Sequence, residues 1–393
     1  MESSLFSKTV AESTKKIRSA AAYKEQRYLF HKLKGMLGKG YYIGVYGLRG
    51  IGKTVMMLQL ASTVENPLYV SVDSAYLANY SIYEIAEEAF KNGYKNLFID
   101  EIQSRKGWEK DLKTLYDEGE INVFFTGSSP TNIKTMGADL SRRALIYELL
   151  PPSLREYLNI KKGTSIEKVD ISSLFDESKR REIAIRYSAY SSWYEYFSYG
   201  GILYDAKIGF PKPVINMLER IISLDLAAIR SIDSELINDV HKLLYKLAES
   251  GPYELSYNSI ANYLQVSVKK VIGIVKDLES VGLLKLVYPS HGGMRKEPKV
   301  YFRLPFRFAL NESVGAKTDL GVAREEFFVN SASVSSYVKT ERGEKTPDFV
   351  VEGRTIEVGG AGKRNYQKAD FIAVDSLDFI GNKIPLFLFG FLY

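Results

Sequence analysis

One short segment constrains the fold of this chain more than any other, the stretch GLRGIGKT at residues 47–54. An apolar run, Tyr42–Tyr46, precedes it, and a second apolar stretch, residues 54–61, follows it. The segment fits the pattern G-x-x-x-x-G-K-[ST], and the matching positions are Gly47, Gly52, Lys53 and Thr54. A strand, a glycine turn and a helix in this order predict a phosphate-binding loop.

A loop of this kind binds phosphate mainly through its backbone. Glycines let successive N–H groups converge on one point, and the following helix adds the positive end of its dipole. We expect Lys53 to reach the β- and γ-phosphates of a nucleotide and Thr54 to place its hydroxyl on Mg²⁺. The positions predicted to cradle the nucleotide are Gly47, Leu48, Arg49, Gly50, Ile51, Gly52, Lys53, Thr54 and Val55. The alternative interpretation is a glycine turn with a surface lysine.

The chain that follows this loop has the pattern of a parallel sheet. Short apolar runs alternate with amphipathic segments, and the runs cover residues 42–46, 68–72, 96–99 and 122–126. This alternation predicts helices on the faces of a parallel sheet, and ligands bind at the carboxyl ends of such strands. Asp100 and Glu101 end the third run, where Asp100 would contact Mg²⁺ and Glu101 would be the catalytic base. A charge pair at a helix N-terminus is the alternative.

The fourth run, NVFFTGSS, ends in hydroxyl side chains. Ser128 is the candidate for sensing the γ-phosphate, with Thr126 and Ser129 as competitors, although a helix N-cap would use the same residue types. Arg142 and Arg143 are candidates for an arginine finger that acts within the chain or towards a neighbouring subunit. Their alternative is a solvated basic turn.

Composition limits the remaining classes of function. The 393 residues predict two or three domains, and the absence of cysteine excludes disulfides, thiolate metal sites and a cysteine nucleophile. No apolar run is long enough to span a membrane and no signal peptide is visible, so we expect a cytoplasmic protein. The abundance of Lys, Glu, Ile and Tyr hints at a thermophile. A net charge of +6 permits nucleic acid as a partner.

Residues 254–303 have the pattern of a helix-turn-helix followed by a β-hairpin, or wing. SYNSIANYL and VKKVIGIVKDLESVGLL are the two amphipathic helices, and LLKLVYPSHGGMRKEPKVYFRL is the hairpin. Basic side chains there suit contacts with DNA phosphates. The candidates are Lys269, Lys270 and Lys276 on the second helix and Arg295, Lys296 and Lys299 on the wing. A winged helix that only packs or contacts protein is the alternative.

The C-terminal region places Asp348 at a strand start and Glu357 in the next strand, with Glu325 and Glu326 on a helix upstream. Paired carboxylates on adjacent strands can hold Mg²⁺ for phosphodiester hydrolysis. A nuclease of this kind also has a lysine two residues after the glutamate, where this chain has Gly359. Only Lys363 or Lys368, reaching in from elsewhere, could replace it. The alternative is a structural or DNA-docking remnant of a nuclease.

Taken in order, GLRGIGKT, LFIDEIQ…W, FFTGSS, LLPPSLREYL and YGG resemble the archaeal-type AAA+ ATPases. The tail resembles the winged helix and restriction-endonuclease-like domain that are often joined to them. The resemblance implies ATP phosphates on residues 47–54, Mg²⁺ on Thr54 and Asp100, a catalytic base at Glu101 and a sensor hydroxyl near Ser128. It also implies a helical lid and is compatible with a homo-oligomer.

The expected fold class is therefore α/β: a P-loop AAA+-like parallel sheet with a helical lid, a winged helix-turn-helix and a small α/β endonuclease-like domain. The predicted segments are 1–40 (N-terminal helical), 41–150 (ATPase core), 151–236 (lid), 237–305 (winged helix) and 306–393 (endonuclease-like). We expect an ATPase that uses ATP, ADP and Mg²⁺ and couples nucleotide state to DNA binding. The alternatives are a slow-turnover switch that contacts protein partners and an ATP-gated nuclease.

Overall fold

The computed structural model describes residues 2–128, 140, 142–203, 208–251, 256–290, 297–338, 346–364 and 368–393. The chain separates into two compact units, Met1–Leu150 and Pro151–Tyr393. The finer division of the second unit at residues 236 and 305 stays a prediction. Among the described residues no helix is both long and apolar enough to cross a membrane.

The first unit is built on a five-stranded parallel sheet with the order β2-β3-β4-β1-β5. Its strands are β1 (Tyr42–Tyr46), β2 (Pro67–Ser71), β3 (Asn96–Asp100), β4 (Asn122–Gly127) and β5 (Ala144–Glu148). Its α-helices are α1 (Ser3–Ser19), α2 (Phe30–Lys34), α3 (Lys53–Ala61), α4 (Ile82–Lys91) and α5 (Trp108–Glu118). The parallel sheet and its first four strands are confirmed, whereas sequence reasoning missed the edge strand β5.

The strand order decides which loops meet. β4 lies between β1 and β3, so the carboxyl ends of these three strands lie side by side. β1 is buried along its whole length because strands pair with it on both sides and helices cover the sheet. Gly44 sits at its centre, where an added Cβ would lie 2.6 Å from atoms of Phe125 and Ile146. The glycine therefore lets large side chains from both neighbouring strands pack over β1.

Among its described residues, the second unit contains helices, one five-stranded sheet and one two-stranded sheet. Its α-helices are α6 (Leu154–Lys162), α7 (Ile171–Phe175), α8 (Glu177–Arg186), α9 (Trp193–Tyr199), α10 (Lys212–Arg220), α11 (Ser234–Glu249), α12 (Tyr257–Leu264), α13 (Val268–Ser280), α14 (Phe306–Ser313) and α15 (Leu320–Ser331). A π-helical turn, Ile221–Leu226, follows α10.

The two-stranded sheet pairs β6 (Leu284–Val287) with β7 (Lys299–Phe302) in antiparallel fashion. The larger sheet has the order β12-β11-β10-β9-β8. Its strands are β8 (Ser336–Tyr337), β9 (Phe349–Val351), β10 (Arg354–Gly360), β11 (Phe371–Asp375) and β12 (Lys383–Pro385). β10 pairs with β11 in parallel and with β9 in antiparallel fashion, so this sheet is mixed.

The helices assigned to a lid share their hydrophobic core with the C-terminal sheet. Leu154 of α6 and Phe197 of α9 belong to the same buried cluster as Phe327 of α15 and Phe387 beyond β12. Trp193 also donates its indole N–H to Asp375 of β11 at 2.7 Å. The structure thus packs residues 154–199 directly against the second sheet.

Two short helices and a pair of strands follow α11. α12 and α13 are joined at Gln265, which adopts a left-handed backbone conformation with φ of 58°, and Ser267 caps α13. Their apolar faces point inward, and the buried side chains include Ile260, Leu264, Val271, Ile274, Val275 and Leu278. Two short helices are therefore followed by two antiparallel strands. Residues 291–296, which the sequence predicts as part of a wing, lie outside the described residues.

Candidate nucleotide site and carboxylate cluster

The glycine-rich loop 47–52 connects β1 to α3 in the first unit. Gly50 and Gly52 have φ values of 76° and 94°, a region that side chains with a Cβ rarely adopt. At Gly47 a Cβ would collide with the carbonyl of Leu149. α3 begins at Lys53, and no side chain caps its N-terminus. The N–H groups of its first turn therefore do not donate to a capping side chain. The loop and the helix N-terminus together form an anion-binding geometry.

Lys53 is buried beside the loop. Its ammonium donates hydrogen bonds of 2.8 Å to the carbonyls of Gly47 and Leu48. The positive charge of Lys53 thus lies at the loop, where we expect it to bind phosphate oxygens.

Arg27 donates a hydrogen bond to the backbone of the loop, a role that the sequence did not predict. Only 4% of the residue is exposed, and its guanidinium donates to the carbonyl of Ile51 in the loop and to that of Leu150 at 2.7 Å. A single arginine in a basic N-terminal segment carries no sequence signal that separates it from a surface residue. The fold brings this segment under the loop.

Asp100 lies at the end of β3 and is the best-satisfied carboxylate of the site. It accepts hydrogen bonds from the hydroxyls of Thr54 at 2.8 Å, Tyr69 at 2.9 Å and Thr126. The structure therefore brings together Thr54 and Asp100, and it adds Tyr69, which no sequence pattern singles out. Burial raises the pKa of Tyr69, and the neighbouring Asp100 charge adds to this, so the phenol stays protonated and acts as a donor.

Glu101 follows Asp100 in a left-handed backbone conformation, with φ of 55° and ψ of 45°. Its carboxylate accepts from the side-chain amide of Gln103 and lies 3.7 Å from the guanidinium of Arg49. Gln103 and Arg49 also donate to the Ser128 hydroxyl, at 2.9 Å and 3.3 Å. The predicted base and the predicted sensor hydroxyl are thus held by the same two side chains, of which Gln103 was not foreseen.

The two arginine-finger candidates have different surroundings. Arg143 pairs with Asp117 at 2.7 Å, whereas Arg142 is exposed. Ser129 lies outside the described residues. An arginine finger stays a prediction.

The basic side chains of α13 point in different directions. Lys269 and Lys276 are exposed. Lys270 instead pairs with Glu235 at 2.9 Å and with Asp239 at 2.8 Å, both on α11. Contact between Lys270 and DNA stays a prediction, and it would require these two ion pairs to break. Arg295 and Lys296 lie outside the described residues.

A carboxylate cluster lies between α15, β9 and β10 of the second unit. It comprises Glu325, Asp348 and Glu357, and Lys299 of β7 approaches Glu325 to 3.9 Å. Tyr301 donates to Glu325 at 2.9 Å. Burial raises the pKa values of all three acids, that of Glu325 to about 7. Lys299, the first residue of β7, thus faces this cluster, and its contact with DNA stays a prediction.

Lys363 occupies the place of the side chain that Gly359 lacks. An added Cβ at Gly359 would lie 2.7 Å from Cγ and Cδ of Lys363, whose ammonium forms an ion pair with Glu357. Glu357 is 1% exposed, and its Oε2 has no hydrogen-bond partner. In the part of the chain that the structure describes, no group of three or more His, Cys, Asp and Glu side chains is arranged to hold a metal ion.

Glu326, the neighbour of Glu325, does not belong to this cluster. Its carboxylate accepts from Arg307 at 2.8 Å, and both side chains are almost fully buried. Arg307 also donates to the carbonyl of Leu247 at 2.6 Å. The pair therefore ties α14 and α15 to the end of α11.

Comparison with known proteins finds a family whose model matches the region of the first site. Residues 39–158 match the model of a family described as AAA domain, a range that spans β1 to β5. The chain is 33% identical over 305 residues to the uncharacterized protein MJ1637 of Methanocaldococcus jannaschii, an alignment that covers 70% of this chain and 63% of the relative. It is 35% identical over 147 residues to the uncharacterized protein MJ1544 of the same organism, covering 34% and 33%.

The chain thus spans less than two thirds of the length of these curated relatives. Among solved structures, the Walker-type ATPase PABY2304 of Pyrococcus abyssi is 10% identical with a TM-score of 0.40, and the match covers 72% of this chain and 93% of that one. The family match is thus confined to the region that contains the loop, Asp100 and Glu101.

Proposed function

We propose that the first unit is a magnesium-dependent ATPase that converts ATP and water to ADP and phosphate. The observation that carries the proposal is the meeting of three features at the ends of β1 and β3. These are an anion-binding loop, the hydrogen-bonded pair of Thr54 and Asp100, and Glu101 beside them. The match of residues 39–158 to the AAA domain family supports the same function.

The residues present fit both groups that this activity needs. Left-handed glycines and an uncapped helix suit the phosphates of a nucleotide. The carboxylate of Asp100 and the hydroxyl of Thr54 are oxygen donors of the kind that Mg²⁺ prefers, and these two residues would hold it. Bound there, Mg²⁺ would neutralise charge on the phosphate oxygens.

The side chains of the chain itself have distinct tasks in this proposal. Lys53 contributes a fixed positive charge to the phosphates. Glu101 accepts a proton from the attacking water, and its orientation depends on Gln103 and Arg49. Because these two also hold Ser128, the base and the sensor hydroxyl are positioned as a unit.

The substitution Glu101→Gln tests the proposal. It keeps the shape of the side chain but removes the base, so we expect ATP turnover to fall by about 100-fold or more while binding of a fluorescent ATP analogue persists. Glu120→Gln, which changes an exposed carboxylate of the same unit, is the control and should leave turnover unchanged. Unaltered turnover in Glu101→Gln would remove Glu101 from the mechanism, and absence of nucleotide binding in the wild type would overturn the whole proposal.

We further propose that the segment from α12 to β7 is a winged helix that binds DNA and that nucleotide state is coupled to this binding. The helix-turn-helix arrangement and the exposed Lys269 and Lys276 support it. The test is ATP turnover at elevated temperature with and without duplex DNA over a salt series. Stimulation that fades as salt rises supports phosphate contacts. ATP turnover that does not change with DNA at any salt concentration favours the alternative, a switch with slow ATP turnover that contacts protein partners.

The carboxylate cluster supports a second candidate, a nuclease of the second unit. The specific observation is that Lys363 lies beside Gly359 and forms an ion pair with Glu357. In this proposal Lys363 takes the role of the lysine that nucleases of this kind have two residues after the glutamate. Asp348 and Glu357 would hold a divalent cation, which the unpartnered Oε2 of Glu357 fits. We expect nicking of supercoiled plasmid in Mn²⁺ or Mg²⁺ that is lost in Lys363→Met and kept in Lys368→Met, the exposed control. Absence of nicking by the wild type overturns this candidate.

A further inference from the structure

Tyr69 lies in β2, at the edge of the parallel sheet and 3% exposed. Its phenol donates a 2.9 Å hydrogen bond to Oδ2 of Asp100 on the neighbouring strand β3, the oxygen to which Thr54 also donates. A carboxylate held by hydroxyl donors has a fixed orientation, and such donors around a metal ligand tune its affinity for the metal. Tyr69 therefore acts on the carboxylate that would receive Mg²⁺.

The same tyrosine is held on its other side by helix α1. An edge strand leaves one row of N–H groups without a neighbouring strand, and the N–H of Tyr69 instead donates to the Ser13 hydroxyl at 2.8 Å. Ser13 is 2% exposed, and the ammonium of Lys16 lies 4.9 Å from the centre of the Tyr69 ring. Both the backbone and the ring of Tyr69 are thus in contact with α1.

We propose that Tyr69 is a positioning residue for Asp100 and that α1 holds it in place, so that the N-terminal helix contributes to the metal affinity of the nucleotide site. This inference rests on the proposed ATPase function. The contacts form one chain from Ser13 through Tyr69 and Asp100 to Thr54.

A second tyrosine supplies a matched control. The hydroxyl of Tyr76 donates to Glu12 of α1 at 2.6 Å, and the ammonium of Lys8 lies 4.3 Å from the centre of its ring. Tyr76→Phe and Tyr69→Phe each remove one hydroxyl that donates to a carboxylate. Of these two tyrosines, Tyr69 bonds to Asp100 and Tyr76 to Glu12.

The test is the affinity of the ADP-bound full chain for Mn²⁺, measured from the signal of free Mn²⁺ in electron paramagnetic resonance. We expect Tyr69→Phe to weaken Mn²⁺ binding about 10-fold and Tyr76→Phe to change it by less than about twofold. Ser13→Ala, which removes the acceptor for the Tyr69 N–H, should weaken binding in the same direction by a smaller factor. The Ser13→Ala variant keeps the inference testable if Tyr69→Phe folds poorly.

Three outcomes separate the ideas. Wild-type Mn²⁺ affinity in both Tyr69→Phe and Ser13→Ala overturns this inference and leaves the ATPase proposal intact. Equal weakening in Tyr69→Phe and Tyr76→Phe shows that loss of α1 packing, and not the contact with Asp100, is responsible, and it also overturns the inference. Failure of the wild type to bind ADP and Mn²⁺ overturns the proposed function together with the inference.

Discussion

The guanidinium of Arg49 lies 3.7 Å from the carboxylate of Glu101, so a residue of the phosphate-binding loop contacts the proposed catalytic base directly. Arg49 also donates to the Ser128 hydroxyl at 3.3 Å. The side-chain amide of Gln103 also donates hydrogen bonds to both Glu101 and Ser128. The loop, the base and the sensor hydroxyl therefore form a single polar network.

Residues that share partners in one network are expected to act together. We predict that Arg49→Ala and Gln103→Ala each lower ATP turnover about 10-fold, and that the double variant loses clearly less than the product of the two. Steady-state kinetics on the three variants give the coupling energy, which we expect at about 0.5–2 kcal/mol. Fully independent effects would contradict a shared role in holding Glu101.

The direction of each lysine on α13 predicts its contribution to DNA binding. Lys269→Ala and Lys276→Ala should each weaken binding uniformly across sequences and reduce the salt slope by about 1, since each removes one phosphate contact. Lys270→Ala should leave the slope unchanged, because that ammonium already pairs with Glu235 and Asp239. Binding isotherms at several salt concentrations measure the slopes. A loss of slope in Lys270→Ala would mean that these ion pairs break when DNA binds.

The buried Glu325 predicts a pH dependence of stability. Burial raises its pKa to about 7 in the folded chain, above the value of an unfolded glutamate, so the folded state binds the proton more tightly. The stabilisation is complete below the unfolded pKa and is lost as pH rises through about 7. The raised pKa values of Asp348 and Glu357 act in the same direction.

Glu325→Gln should therefore become more stable relative to the wild type as the pH rises from 5 to 8, by about 1–3 kcal/mol. Denaturant unfolding at both pH values measures the difference. Glu312→Gln, at an exposed position on α14, should show no such change. A pH-independent difference for Glu325→Gln would show that its carboxyl group keeps an ordinary pKa.

Two glycines predict opposite effects on stability. Gly44→Ala should destabilise the fold by about 1–3 kcal/mol, because its Cβ would overlap with Phe125 and Ile146. Gly273→Ala, within α13, should stabilise it by about 0.5–1 kcal/mol, because the nearest atom to its added Cβ, on Arg230, is 3.9 Å away and alanine favours the helix. Thermal and denaturant unfolding of both variants provide the test, and the same sign for both would contradict it.

The sequence by itself determined the features that depend on neighbouring residues. The loop from Gly47 to Thr54, the first four strands and the two helices after residue 256 were predicted because glycine spacing and apolar periodicity act over a few residues. The sequence also predicted that Thr54 and Asp100 serve one Mg²⁺ site, since ligands bind where parallel strands end, and the structure joins the two side chains by a hydrogen bond.

Only the tertiary structure decided which distant side chains complete each site. Tyr69 reaches Asp100 because β2 pairs with β3 and α1 closes the edge of the sheet. Lys363 fills the space beside Gly359, and Lys270 forms ion pairs with Glu235 and Asp239 of α11. The physical reason is common to these cases: spacing along the chain fixes local backbone structure, whereas side-chain contacts depend on strand order and helix packing, which bring together residues far apart in sequence.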